Sequence, residues 1–402
     1  MNIFEPAEIG NLIVKNRIIR SATYEGRCDE QGFPTDKYKE LYLELAKNSI
    51  GLIITGFAYI SKDGRAMQPY QAGIDSEEKI HFYKQITDEI HQYDCKIVMQ
   101  IAHVGRQTLK QVTGQQVRGV SKKKSLYFNE IPDILKTEEV VAIIERFAAA
   151  ALLAKRAGFD GIQLHAAHGY LIHQFISSSI NNRKDIFKID PKTRIGVNFL
   201  DMIIEQVRQR CGTDFPILVK ISANDDHGFT QTQFVNLIRF LDRKKVDGIE
   251  ISYGTMDYGL NIFRGNSIPI DVLLRHNPRY RTDNKMGKYL WKRFLLPIMK
   301  LKIKPFTAMY NLPYAKIAKE NTDIPIICVG GFRKGEEMFD VINNGAVDFV
   351  SLCRPFICEP DLVKKLELNN NYVSMCISCN ICAIMCDTKN PTKCYLKQGV
   401  AT

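Results

Sequence analysis

Short apolar runs alternate with longer amphipathic stretches along most of the chain. The apolar runs predict eight strands, at residues 16–23, 51–57, 96–102, 161–165, 216–221, 248–252, 324–329 and 348–352. The amphipathic stretches predict helices at residues 36–48, 77–92, 137–157, 193–210, 232–242 and 335–343. Eight alternating units favour a (β/α)8 TIM barrel, an α/β fold of parallel strands. A doubly wound sheet is the alternative, although it seldom has eight such units and no GxGxxG motif follows the first strand.

Two segments of the chain are additional to the eight strand–helix units of a minimal barrel. Residues 253–323, between the sixth and seventh strands, form an insertion that is too long for an ordinary connection. It must therefore carry structure of its own, including a helix near 311–320. Residues 361–402 form a Cys-rich extension after the eighth strand. We predict a barrel domain at 1–360, which includes the insertion, and a C-terminal extension at 361–402.

Composition and charge narrow the class of protein. The 402 residues are 45% hydrophobic and 25% charged, as in an ordinary globular protein. The net charge of +11 could favour an anionic partner, but the basic residues are dispersed, and the one dense patch, at 118–124, fits a solvated loop. The sequence has no nucleic-acid signature, apolar span or signal peptide. We expect a cytoplasmic protein with a small-molecule substrate, no nucleic-acid partner and no membrane partner; a homo-oligomer is compatible with the sequence.

The candidate chemistry begins where the fourth predicted strand ends. His165, His168 and Tyr170 follow the apolar residues 161–164. TIM-barrel enzymes place their catalytic groups at the carboxyl ends of the strands. Two imidazoles and a phenol can hold and protonate a substrate that carries an oxygen atom. A His-x-x-His spacing also allows a metal-dependent hydrolase, although the sequence lacks a histidine pair on the first strand and a suitable carboxylate ligand.

Residues at two other strand ends indicate a phosphate site, and a lysine lies inside a third strand. Gly330 and Gly331 end the seventh strand, and Cys353 and Arg354 end the eighth, where barrels bind phosphate through backbone N–H groups. Lys220 lies inside the fifth strand, where a cation is costly unless it meets an anion or a strong acceptor. An ion pair inside the barrel is the alternative explanation for Lys220.

Seven motifs follow one another in an order typical of one family: NRIIRSATYEG, QIAHVGR, HAAHGYLIHQF, NNRKD, VKISAND, CVGGF and SLCRPFICEP. Together they resemble the old yellow enzyme family of FMN-dependent NADH:flavin oxidoreductases, over residues 1–361. With its cysteine tail, the chain is most similar to the branch that includes bacterial 2,4-dienoyl-CoA reductases. Members of that branch continue into further nucleotide-binding domains, which we do not expect here.

The resemblance implies an FMN site. It places Lys220 beside flavin N1 and the C2 carbonyl, and Gln100 at the pyrimidine edge. The full set of implied cofactor-binding residues is Ala22, Thr23, Phe57, Gln100, Lys220, Gly330, Gly331, Cys353 and Arg354. Two positions depart from the family: Cys353, which is usually Gly or Ser, and Tyr24, which is often Thr or Cys.

The resemblance also implies catalytic roles. His165 and His168 would anchor the carbonyl oxygen of an activated alkene, and Tyr170 would protonate its α carbon. The expected activity transfers hydride from NADH or NADPH, through FMN, to the β carbon of an α,β-unsaturated carbonyl compound, as in an ene reductase or a dienoyl-CoA reductase. A flavin and iron–sulfur protein that only transfers electrons or senses redox state is the alternative.

Five cysteines crowd into the tail with the spacing C-x2-C-x2-C-x3-C-x7-C. Structural disulfides are rare in the cytosol, so the cluster indicates a metal site. The first four cysteines match a bacterial ferredoxin run, except that Asp387 replaces its proline. The dienoyl-CoA reductase branch instead uses the spacing C-x2-C-x3-C-x11-C. Cys376, Cys379, Cys382 and Cys394 match it, except that the gap between Cys379 and Cys382 is one residue short. We expect these four to bind a [4Fe–4S] cluster, while a structural zinc ion and ordinary core cysteines stay open.

Overall fold

A closed barrel of eight parallel strands forms the centre of the protein, in a computed structural model that describes residues 2–396. The strands are Ile18–Arg20, Leu52–Ile54, Lys96–Ala102, Gly161–Ala166, Ile217–Ser222, Gly248–Ser252, Ile326–Val329 and Phe349–Leu352. Each strand pairs with the next in the chain, and the eighth pairs with the first through Val350 opposite Ile18. The (β/α)8 TIM barrel is therefore confirmed, and the doubly wound sheet is excluded.

One helix packs outside the barrel after each strand. These helices are Asp36–Ala46, Glu78–His91, Thr137–Arg156, Asn198–Cys211, Gln231–Arg243, Leu312–Lys319, Gly335–Asn343 and Leu362–Leu368. The longest shows why the segments are helical: its buried residues Val140, Ile143, Ile144 and Phe147 occupy positions i, i+3, i+4 and i+7, which lie on one face of a helix. Acidic residues in its first turn and basic residues in its last turn complement the helix dipole.

Shorter elements lie in the connections between strands and outer helices. They are the strands Ala58–Tyr59, Arg118–Gly119 and Asp133–Ile134, the α-helices Lys110–Thr113, Leu171–Ile176 and Arg354–Cys358, and the 3-10 helix Lys62–Gly64. Most of them follow the carboxyl ends of the strands. These short elements therefore lie on the side of the barrel where TIM-barrel enzymes place their catalytic groups.

A hairpin that the sequence pattern did not predict covers the opposite, amino-terminal end of the barrel. Strands Ala7–Ile9 and Leu12–Val14 pair antiparallel across a turn at Gly10, which has a φ of 60°. Their buried side chains pack against Leu218 and Phe349 from the barrel strands. The hairpin thus closes one end with apolar contacts and leaves the carboxyl end for a ligand.

The insertion and the tail pack against each other. The insertion contains the 3-10 helix Met256–Tyr258, the α-helices Gly259–Ile262, Ile270–His276, Lys285–Leu290 and Leu296–Lys302, and the π-helical turn Trp291–Leu295. The tail contains the short helix Ile381–Met385, whose Ile384 shares an apolar cluster with Val272 and Leu273. The domain division at residue 360 stays a prediction, and its last residues, 397–402, lie outside the described part of the chain.

None of the helices found between residues 2 and 396 is both long enough and apolar enough to cross a membrane.

Candidate active site

A cavity of about 610 Å³ lies at the carboxyl end of the barrel strands. It is lined by all twelve residues for which the sequence predicts a catalytic or FMN-binding role: Ala22, Thr23, Phe57, Gln100, His165, His168, Tyr170, Lys220, Gly330, Gly331, Cys353 and Arg354. Parallel strands bring their carboxyl ends together, so residues that are distant in sequence meet there. The structure thus joins the predicted set in one place, while the role of each residue stays a prediction.

Two imidazoles and a phenol form one wall of this cavity. The ring centroid of His165 lies 5.0 Å from that of His168 and 4.6 Å from that of Tyr170, and Phe57 lies 5.4 Å from Tyr170. The chain turns sharply after the strand because His168 and Gly169 have φ angles of 61° and 79°. Burial raises the pKa of Tyr170, so its phenol keeps its proton at neutral pH.

Both imidazoles are neutral at physiological pH. Burial lowers the pKa of His165 and His168 well below the usual value, and the Lys220 ammonium adds to the shift. His165 Nδ1 accepts the backbone N–H of Ala167 at 3.3 Å, so its Nε2–H is the donor that the ring can offer a ligand. His168 Nε2 bonds Ser252 Oγ at 2.8 Å. Within residues 2–396 neither ring belongs to a group of three side chains that could bind a metal ion. The structure therefore gives no support to the metal-dependent hydrolase that the His-x-x-His spacing allowed.

A buried polar network beneath the cavity contains residues that the sequence analysis missed. Lys220 Nζ lies 3.3 Å from Glu250 Oε2 and donates to Ser21 Oγ at 2.9 Å. Gln163 donates to Glu250 Oε2 at 2.9 Å and accepts from Gln100 Nε2 at 2.6 Å. Lys220 therefore lines the cavity and also makes the barrel ion pair that was the alternative explanation. The available signal was Glu250 itself, a carboxylate inside the apolar run GIEIS.

The turn after the seventh strand has room only for glycine. Gly330 and Gly331 have φ angles of 126° and 85°. A Cβ atom on Gly331 would lie 2.6 Å from the backbone nitrogen of Met309 and 2.7 Å from the backbone oxygen of Thr307. Because both neighbours are backbone atoms, they cannot swing aside. The close packing brings this turn against the cavity, as a phosphate-binding loop requires.

Replacing Gly331 by Ala should weaken FMN binding by about tenfold, because the turn must shift against strain of roughly 1–3 kcal/mol. Fluorescence titration of the apoprotein with FMN measures this change. Gly212→Ala is the matched control, since Gly212 has a φ of 83° but nothing within 4 Å of the added Cβ. Equal FMN affinity in the two variants would contradict the assignment of the phosphate site.

Two arginines stand beside this turn. Arg333, which the sequence analysis did not select, lines the cavity and stacks 4.1 Å above the ring of Phe306. Its Nε and Nη2 atoms are buried without a hydrogen-bond partner among the described residues. Arg354 donates to the backbone oxygen of Arg264 at 2.8 Å and to the side chain of Asn380 at 2.5 Å. Unsatisfied guanidinium donors next to a glycine turn fit a bound phosphate, so the residues present fit a flavin mononucleotide.

A second cavity, of about 210 Å³, lies beside the first and is lined by Cys376, Cys379, Cys382 and Cys394. Burial raises the pKa of Cys382 to about 12; Arg354 opposes the shift and the other three thiols add to it. Across residues 2–396, no three potential ligands converge on a point where a single ion could bind. The four thiols line one space, and thiolates are ligands of both iron–sulfur clusters and zinc ions.

Cys386 differs from these four cysteines because it lines the larger cavity and not the smaller one. Its neighbour Asp387 is partly buried and accepts hydrogen bonds from Gln68 at 2.7 Å, Tyr127 at 2.7 Å and Asn277 at 2.9 Å. These three donors come from the connections after the second and third strands and from the insertion. Asp387 therefore ties the tail to three other segments over the cavity, a contact that the sequence did not reveal.

Comparison with known proteins identifies relatives of this architecture. The model of the NADH:flavin oxidoreductase / NADH oxidase family matches residues 2–259. The NADH oxidase of Thermoanaerobacter brockii is 30% identical over 384 residues, which are 94% of this chain and 53% of that protein. The cinnamate reductase of Clostridium sporogenes is 27% identical over 395 residues, covering 94% of this chain and 54% of the relative. The chain thus spans about half the length of these curated relatives.

The fold also matches solved structures. The structure of a 2-naphthoyl-CoA reductase in complex with 2-naphthoyl-CoA superposes with a TM-score of 0.79 at 22% sequence identity. The match covers 98% of this chain and 56% of that one, so it includes the insertion and most of the tail. At this level of identity the likeness establishes the fold.

Proposed function

The chain belongs to the NADH:flavin oxidoreductase / NADH oxidase family, and from this premise we propose that it is an FMN-dependent reductase of α,β-unsaturated carbonyl compounds. The observation that carries the proposal is the single cavity lined by His165, His168 and Tyr170 together with the predicted flavin-binding residues. The name of the cinnamate reductase supports the same reaction class, since cinnamate contains a C=C bond conjugated to a carboxylate.

The residues divide the cavity into a cofactor end and a substrate wall. Gly331, Arg333 and Arg354 would hold the phosphate of FMN. Lys220 and Gln100 would contact the ring system, where the Lys220 ammonium stabilises negative charge on the reduced form. FMN, when bound, supplies hydride that it has received from NADH or NADPH. The nicotinamide and the substrate would use the same cavity in turn.

The imidazoles and the phenol would act on the substrate. The neutral rings of His165 and His168 can each donate one hydrogen bond to a carbonyl oxygen. These bonds strengthen as that oxygen gains charge, so they stabilise the enolate that develops when the β carbon accepts hydride. Tyr170 keeps its proton through burial and would deliver it to the α carbon.

An anaerobic absorption experiment tests the proposal. The purified protein should show flavin bands, NADH or NADPH should bleach them, and 2-cyclohexen-1-one should restore them. A colourless protein that cannot be reconstituted with FMN would overturn the proposal. Flavin that is reduced but never reoxidised by any enone would favour the electron-transfer alternative. The cytoplasmic location, the absence of a nucleic-acid partner and a homo-oligomeric state stay predictions.

We further propose a [4Fe–4S] cluster in the smaller cavity, held by Cys376, Cys379, Cys382 and Cys394. The arrangement of the four thiols around one space supports this set over the ferredoxin-like run that would use Cys386. Cys382 and Arg354 line both cavities, so the cluster and the flavin would be close neighbours. Single electrons could then enter through the tail as well as hydride through the nicotinamide.

Replacing Cys379 by Ser should lower the iron content from about four atoms per chain to nearly none. Cys386→Ser is the matched variant, because it removes a tail thiol that faces the larger cavity, and it should keep its iron. Iron and acid-labile sulfide are assayed on protein purified without oxygen. If Cys386→Ser loses the iron and Cys394→Ser retains it, the ferredoxin-like ligand set is correct and ours is wrong.

A further inference from the structure

The insertion presents an unusually apolar surface. A helix runs from Lys285 to Lys302 through Lys285–Leu290, Trp291–Leu295 and Leu296–Lys302, and we call it the outer helix. None of its residues is buried. Seven large apolar side chains on it are between 43% and 88% exposed: Met286, Tyr289, Leu290, Phe294, Leu295, Ile298 and Leu301. Contiguous exposed apolar surface of this kind marks a site of interaction.

The apolar side chains form a stripe. Met286, Leu290, Phe294, Ile298 and Leu301 follow one another at intervals of four, four, four and three residues. At 3.6 residues per turn, this spacing keeps them on one side of the helix. The stripe therefore resembles the buried face of an amphipathic helix, except that it faces outward.

The charge of the same segment has a single sign. Residues 285–302 contain five lysines and one arginine but no aspartate or glutamate. One of these lysines has an acidic partner elsewhere: Lys292 pairs with Asp271 at 2.7 Å. A helix that combines an exposed apolar stripe with many lysines is typical of segments that lie in the interface of an anionic bilayer.

We propose that the outer helix docks on the surface of an anionic lipid bilayer. The apolar stripe would enter the boundary between head groups and acyl chains, and the lysines would contact anionic head groups. Two other occupants fit less well. A second copy of this chain would bring a helix of the same charge against the stripe, and a nucleic acid would leave the leucine and phenylalanine side chains in water. This proposal replaces the expectation, drawn from the sequence, that the protein has no membrane partner. A helix that lies on the bilayer surface can bind it without a membrane-spanning segment.

The outer helix also borders the large cavity. Trp291, Met299 and Lys302 line that cavity, whereas the stripe residue Leu301 does not. Docking would thus place the cavity beside the bilayer surface. If the proposed function holds, the substrate is an enone on a long apolar group that reaches the cavity from the lipid phase.

Vesicle flotation of the full chain loaded with FMN tests the docking without measuring turnover. The probes are vesicles of phosphatidylcholine mixed with phosphatidylserine, and vesicles of phosphatidylcholine alone. We expect binding to the mixed vesicles, and about tenfold weaker binding by Leu301→Asp, since one exposed leucine no longer enters the lipid. Leu368→Asp is the matched control, because Leu301 and Leu368 are both 88% exposed. The control should bind like the wild type.

Several results would overturn the proposal. Failure of the wild type to float with the mixed vesicles, or equal binding to both kinds of vesicle, excludes docking on an anionic surface. Equal loss of binding in the two aspartate variants excludes the outer helix as the contact. A dimer in sedimentation velocity that Leu301→Asp abolishes and Leu368→Asp preserves, without vesicle binding, would identify a second copy as the occupant. Both variants should retain FMN, so failure of docking is distinguishable from failure of the proposed function.

Discussion

Replacing His165 by Ala is expected to slow the reoxidation of the reduced protein by an enone about 100- to 1,000-fold, the usual cost of removing one donor to a developing oxyanion. Burial lowers the pKa of His165, so at neutral pH the ring is uncharged and offers one N–H. Alanine offers no hydrogen bond to the carbonyl oxygen. Stopped-flow absorbance of the flavin bands after mixing with 2-cyclohexen-1-one measures the rate.

Two controls separate this chemical role from damage to the fold. His81→Ala removes an exposed histidine from the helix Glu78–His91, and its rate should match that of the wild type. Molecular oxygen has no carbonyl group to anchor, so reduced His165→Ala protein should react with oxygen at an ordinary rate. If the enone rate of His165→Ala stays within threefold of the wild-type rate, the anchoring role is wrong.

Replacing Lys220 by Met should lower the free energy of unfolding of the apoprotein by about 3–5 kcal/mol, because Glu250 is left as an uncompensated buried charge. The side chains of Lys220 and Glu250 are only 4% and 0% exposed. Urea denaturation measures the change. Lys84→Met is the matched control: Lys84 pairs with Asp88 at 2.8 Å, but both side chains are more than half exposed, so the loss should be below about 1 kcal/mol.

The double variant Lys220→Met with Glu250→Gln distinguishes charge balance from flavin chemistry. Removing both charges should recover most of the lost stability, since the attraction within a buried ion pair roughly offsets the free-energy cost of desolvating its two charges. Reduction of FMN by NADH should stay slow in both the single and the double variant, because neither has a cation beside the flavin. Recovery of the reduction rate in the double variant would show that Lys220 acts only through Glu250.

The barrel could be predicted because its strands are short apolar runs bounded by turn residues. Lys96–Ala102 and Gly248–Ser252 begin and end where the sequence pattern places them. The first strand is shorter than predicted, Ile18–Arg20 instead of 16–23, and the hairpin before it was missed. Strands of three residues have too few positions to show a period of two, so local pattern cannot identify them.

The candidate site could be predicted only where a residue lies at a strand end or in a motif. Contacts between distant residues carry no local signal: Lys220 bonds Ser21 across 199 positions, and Tyr127 bonds Asp387 across 260. The spacing of the tail cysteines likewise allowed two sets of four. Only the folded chain places Cys394, rather than Cys386, around the smaller cavity with the others.

The central claim is that hydride passes from NADH or NADPH through FMN to the β carbon of an enone, and isotope labelling tests it most directly. The protein is incubated with NADH or NADPH that carries deuterium at the transferable position and with an unlabelled enone in ordinary water. We expect one deuterium atom at the β carbon of the saturated product and a solvent-derived proton at the α carbon. A reduced product without deuterium at the β carbon, or the absence of C=C reduction in protein that contains FMN, would contradict the claim.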